Sequence, residues 1–112
     1  MIETRLGEFE EVILLLVGIL GEEKAYAYKI ADEFNAQTGR SVSIGSVHST
    51  LNRLEKKGFI SSEFGKATAK RGGRRKRIYT ITAYGRRVLA TSREFKLSLW
   101  SQYPELGTQL GA

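Results

Sequence analysis

A chain of 112 residues, 41% of them hydrophobic, has material for one domain and one modest core, and not for a second independent unit. The absence of cysteine excludes disulfides, iron-sulfur clusters and thiol catalysis, and would leave zinc to carboxylates and a single histidine. The formal net charge of +6 is segregated: Met1 to Phe34 holds eight acidic and three basic residues, Arg40 to Arg77 two acidic and eleven basic, a local cationic surface of the kind that steers in nucleic acid.

The first predicted helix runs from about Gly7 to Leu20. Leu6, Phe9, Ile13, Leu16 and Leu20 recur at three- and four-residue steps, and Val12, Leu15, Val17 and Ile19 extend the apolar surface round most of the cylinder. Such a helix needs burial on more than one side, either as a central core helix or as one that also faces a second subunit. Its apolar run, Val12 to Leu20, falls far short of the ~20 residues that span a bilayer. Glu3, Glu8, Glu10 and Glu11 stand where a signal peptide requires cations. A cytoplasmic address with no membrane partner is the expectation.

After the charged turn Glu22 to Lys24, a second helix carries Ala27, Ile30, Ala31 and Phe34 on one face, and Gly39 suits the left-handed residue that closes it. Ser43 reads as the N-cap of a third helix, about 44–57, whose Ile44, Val47, Leu51 and Leu54 form one narrow apolar stripe. At 100° per residue Ser49, Asn52 and Lys56 fall opposite that stripe, with Ser46 and Arg53 on one shoulder and His48 on the other.

Gly58 ends this helix. Phe59 to Phe64 reads as a strand with Phe59, Ser61 and Glu63 on one side and Ile60, Ser62 and Phe64 on the other; Arg77 to Thr82 is its partner, setting Ile78, Thr80 and Thr82 against Tyr79 and Ile81. From Gly65 to Arg77 there are seven basic residues and no acid, which describes a hairpin with a long flexible tip. Thr82 caps a last helix from about Ala83 to Tyr103, stopped by Pro104, with Val88, Leu89, Phe95, Leu99 and Tyr103 as its apolar stripe and Trp100 beside it. Residues 105–112 have no regular pattern and are expected to fray.

Helix, helix, helix, strand, cationic loop, strand is the order that a winged helix-turn-helix requires, a fold mainly α with a small β-hairpin. The polar face of the third helix offers short donors and acceptors to base edges in a major groove, and the hairpin can lay lysines and arginines along the phosphates. These residues resemble the PadR family of bacterial transcriptional regulators. LGEFEEVILLLVGIL resembles its first helix, YKIADEFNAQTGRSVSIGSVHSTLNRLEKKGFI its helix-turn-helix, and RGGRRKRIYTITAYGRRVL its wing and the start of the following helix. The resemblance covers about Leu6 to Ala90 and implies a dimeric repressor whose last helix crosses the last and first helices of its partner. The single short last helix is similar to the compact branch of the family, some members of which bind aromatic or multidrug ligands at the dimer interface. Two positions depart from the pattern: Ala27 stands where the family's YGY-like block has glycine, and His48 where its recognition helix usually has tyrosine.

The expected organisation is a winged helix-turn-helix over residues 1–82 and a dimerisation helix over 83–104. Ser46, Ser49, Asn52 and Arg53 are assigned to the major groove of a pseudo-palindromic operator, and His48 and Lys56 to flanking phosphates or bases. Lys70, Arg71, Arg74, Arg75, Lys76 and Arg77 are assigned to the backbone from the wing, about 65–77. Phe9, Ile13, Leu16, Val88, Phe95, Leu99, Trp100 and Tyr103 are assigned to the homodimer interface or to a small aromatic or hydrophobic effector seated there. No catalytic residue, metal or cofactor is expected, since no ligand cluster, paired acid or phosphate-cradling loop is visible. Two rival readings are a protein-protein adaptor gripping an acidic partner with the basic wing, and an RNA-binding module. The second would need aromatics on an open sheet face, where only Tyr79 is a candidate.

Overall fold

Short-range signals start and stop most of the elements. The computed structural model describes residues 6–65 and 75–104. Within them lie α1 (Glu8–Leu20), α2 (Ala27–Thr38), α3 (Ile44–Lys56), β1 (Ile60–Phe64), β2 (Arg77–Ile81) and α4 (Ala83–Ser101). Glu8, Glu10 and Glu11 occupy the first turn of α1, where the helix dipole favours negative charge. Gly39, at φ 71°, closes α2 in the left-handed conformation that lacks a Cβ penalty. The Asn35 side-chain oxygen then accepts from the Val42 N–H at 3.0 Å, fixing the turn into α3. Ser43 caps α3 by accepting from the Ser46 N–H at 3.1 Å.

The hairpin is antiparallel, with Ile60 opposite Ile81, Ser62 opposite Tyr79 and Phe64 opposite Arg77. Ile60 and Tyr79 are buried while Ser61, Glu63 and Thr80 face outward, as period-2 alternation requires. Phe59 departs from the expected pattern: it precedes the strand and lies in the core, its ring 5.1 Å from that of Tyr84. The Tyr79 N–H donates to the Ala25 carbonyl at 2.9 Å, so the turn before α2 is bound to the hairpin.

Thr82 joins hairpin to helix through three bonds. Its N–H donates to the Phe59 carbonyl at 3.0 Å, its hydroxyl donates to the Gly58 carbonyl at 2.7 Å, and the same oxygen accepts from the Gly85 N–H at 3.0 Å. α4 ends at Ser101 with Gln102 as its cap, two residues before the expected end at Tyr103. The expectations for the wing tip and for the tail 105–112 lie outside the described residues.

One core joins α1, α2, α3 and the hairpin, built on Ile13, Leu14, Leu16, Val17, Ile30, Phe34, Val47, Leu51, Leu54 and Phe59. This corrects the assignment of Ile13, Leu16 and Val88 to a subunit interface, because all three are buried within their own chain. Past its acidic first turn α1 is apolar on nearly every side, so its sequence carries no phase to say which stripe faces inward. The outward stripe of α1 is instead Leu15 and Ile19. Among the described residues, no helix is long and apolar enough to cross a membrane.

Candidate nucleic-acid interface

Because Val47, Thr50, Leu51 and Leu54 turn inward, the opposite side of α3 is left to solvent. Ser46, His48, Ser49, Asn52, Arg53 and Lys56 are all exposed, so the structure brings the six expected residues onto one accessible surface. Two of them also work within the protein. The Ser46 hydroxyl accepts from that of Ser43 at 2.9 Å. Arg53 donates from Nε to Glu10 at 3.3 Å and from Nη2 to Thr50 at 3.1 Å, and its side chain stays 53% exposed.

Glu10 was not singled out by sequence. Its carboxylate, on α1, accepts from the Gly7 N–H at 2.9 Å and from Lys57 Nζ at 3.1 Å, in addition to Arg53. Burial pushes its pKa up, but the Gly7 amide, Lys57 and Arg53 together outweigh burial and hold it below the ordinary 4.5. A depressed folded-state pKa means stabilisation that is present above the unfolded value and lost as pH falls through the folded one. Glu10→Gln is therefore expected to cost about 1 to 2 kcal/mol at neutral pH, by removing the charge that Lys57 and Arg53 share. The variant should also lose less stability than the unaltered protein between about pH 5 and about pH 3. Urea unfolding at the three pH values checks both; identical pH profiles would remove Glu10 from this role.

The root of the wing is tied to α3. Arg77 Nη1 donates to the Ser62 hydroxyl at 2.8 Å, that hydroxyl donates to Glu55 at 2.8 Å, and the guanidinium lies 4.7 Å from the centre of the Phe64 ring. Lys76 places its ammonium 3.9 Å from the centre of the Tyr26 ring, at the N-cap of α2. Arg75 is exposed. Lys70, Arg71 and Arg74 lie outside the described residues.

Beyond its first turns α4 leaves the body of the molecule. Phe95 is 63% exposed, Leu99 51%, Trp100 53% and Tyr103 49%, so these four expected interface residues lie open, in contrast to Ile13, Leu16 and Val88. Phe9 is half-buried against Phe34, ring centroids 5.4 Å apart, and lines an open cleft of about 380 Å³ with Val12, Arg40 and Val42. No group of three or more metal-ligating side chains stands together among the described residues.

Over residues 16–91 the chain matches the transcriptional regulator PadR-like family. Among solved structures it is similar to a PadR-like transcriptional regulator from Bacillus cereus, at 25% identity over 88% of this chain and 89% of that one, with a TM-score of 0.61. It is similar also to a PadR family regulator from Clostridium difficile, at 28% identity over 90% of this chain and 98% of that one, with a TM-score of 0.58. Bacillus subtilis PadR, solved in complex with operator DNA, is 25% identical over 74% of this chain and 45% of that one, with a TM-score of 0.59. No curated protein gives a significant sequence match. Helix order, hairpin and sequence match agree: the chain belongs to the PadR-like family, and is a transcriptional regulator rather than an enzyme.

Proposed function

We propose that the protein acts in the cytoplasm as a homodimeric repressor that binds a pseudo-palindromic operator in duplex DNA. The observation behind this reading is the exposed polar face of α3 standing beside a hairpin that rises into the most cationic stretch of the chain. A helix of this kind fits a major groove, and the hairpin beside it reaches the phosphates on either side. The likeness to a PadR solved with operator DNA supports it.

In this reading Ser49 and Asn52 read base edges, with Ser46 beside them. His48 and Lys56 meet flanking phosphates or bases. Arg53 reaches the groove from its pairing with Glu10, and Lys70, Arg71, Arg74, Arg75, Lys76 and Arg77 follow the backbone. The exposed aromatics of α4 form the subunit seam and the seat of a small aromatic or hydrophobic effector; Trp100 and Tyr103 already lie with ring centroids 6.5 Å apart.

Reading and gripping separate by experiment. Ser49→Ala and Asn52→Ala are expected to weaken operator binding by about 1 to 3 kcal/mol per lost base contact and to leave binding to random duplex nearly unchanged. Replacing Arg74 and Arg75 by glutamine should weaken both complexes and flatten the slope of log affinity against log salt by about 0.9 per lost phosphate contact. Titrations against both duplexes at several salt concentrations check this. Equal weakening by the α3 variants, or an unchanged slope in the wing variant, would overturn the assignment, and sequence-blind binding that survives moderate salt would point to the adaptor instead.

A further inference from the structure

Two consecutive carboxylates in the first turn of α1 reach in different directions. Neighbouring residues on a helix point about 100° apart, and here Glu10 and Glu11 serve different elements. Glu10 holds Arg53 of α3 and Lys57, the residue that caps its C-terminal end. Glu11 accepts from the Ser92 hydroxyl of α4 at 3.1 Å and is paired with Lys96 of the same helix. The Glu10 side chain is 11% exposed and that of Glu11 14%, while Arg53 and Lys96 are each 53% exposed, so in each pair the carboxylate is the held half and the cation reaches to it from the surface.

The place of the second link along α4 gives it weight. Ser92 is half-buried, whereas every residue from 93 to 104 is exposed. Of the bonds described between α1 and this helix, the one to Lys96 is the furthest along it. Ser101 lies about 8 Å further on, so a small tilt at the Glu11 contact is magnified where Leu99, Trp100 and Tyr103 stand.

We infer that Glu10 and Glu11 are positioning residues that set the angle between α3 and α4, and thereby the spacing of half-sites that the dimer accepts. This rests on the reading of the protein as a DNA-binding dimer joined through α4. Glu10 fixes the recognition helix near its C-terminal end, Glu11 fixes the dimer arm, and the two are joined by one peptide unit, about 3.8 Å between Cα atoms, with no hinge between them. In a two-fold dimer a tilt at this joint displaces both recognition helices. One base pair inserted between half-sites shifts them by about 3.4 Å and turns them by about 34°, a mismatch that a rigid joint resists and a loose one accepts.

The test begins with duplexes enriched by the full-length protein from a random pool. One base pair is then added or removed between the enriched half-sites. The unaltered protein is expected to prefer the enriched spacing by at least about tenfold. Glu11→Lys, which sets like charges against Lys96, is expected to reduce that preference to about twofold or less, while affinity for a single half-site stays within about twofold. Lys96→Glu should do the same, and the double variant should restore the preference. Ser92→Ala, a milder change, should lower it in part at unchanged melting temperature. A merely structural role would lower half-site affinity and melting temperature together. Preference retained in both single variants, or not recovered in the double variant, overturns the inference and leaves DNA binding standing; failure to enrich any duplex overturns the DNA-binding reading and the inference with it.

Discussion

Leu99→Glu is expected to make the protein monomeric and to lower its operator affinity by about 10²- to 10⁴-fold, the gain lost when two linked half-sites become independent. Leu99 stands on α4 between Phe95 and Trp100, with Tyr103 just past the helix end, and all four are about half exposed or more. Each such side chain gains about 1.5 to 3 kcal/mol when covered. A two-fold axis places the same patch on both subunits, so one substitution buries two like charges in the same seam. Leu97 supplies the control. It is equally exposed but lies about 160° round α4 from Leu99, so Leu97→Glu should weaken the dimer less than Leu99→Glu does. Sedimentation at micromolar concentration and titration of the enriched operator read both effects. A monomeric unaltered protein, or full operator affinity in a monomeric Leu99→Glu variant, would sink the assignment.

Gly85→Ala is expected to destabilise the fold by about 3 kcal/mol or more, against the helix propensity that favours alanine by about 1 kcal/mol. A Cβ at this position would lie 2.1 Å from the Phe59 carbonyl oxygen and 3.0 Å from its carbon. Those are backbone atoms, so no rotamer change can relieve the clash, and the start of α4 must move off the end of α3 and β1. That movement pulls on the bonds Thr82 makes to Gly58, Phe59 and Gly85. Denaturant unfolding measures the loss; a variant as stable as the parent would refute the close approach.

How legible this was depends on the range of each interaction. Ser43, Thr82, Gly39 and Gly58 declare helix ends through bonds or φ angles decided within a few residues, and the α3 stripe declares its own inward face. α1 cannot, since past its first turn apolar residues surround it, and Ile13 and Leu16, expected at a subunit interface, are buried in the core of their own chain. Glu10 and Glu11 read as acids at a helix N-terminus, which they are. Apart from the Gly7 amide, their partners stand 43 to 85 residues away, and no local pattern connects them. Gly85 reads as a weak helix former, because what it touches comes from another element.

The division of α3 into two faces has a consequence over evolutionary time. Ile44, Val47, Leu51 and Leu54 pay the helix's debt to the core, while His48, Ser49, Asn52 and Lys56 lie on its open side. Substitutions at those four positions meet water and not packed neighbours, where exchanges usually alter stability by less than about 0.5 kcal/mol. On the proposed reading of these residues as DNA contacts, descendants of one gene can drift to new operators through them without passing through unfolded intermediates. Arg53 is the exception, since replacing it also removes one of the two cations paired with Glu10, and among relatives it should change more slowly than the residues beside it.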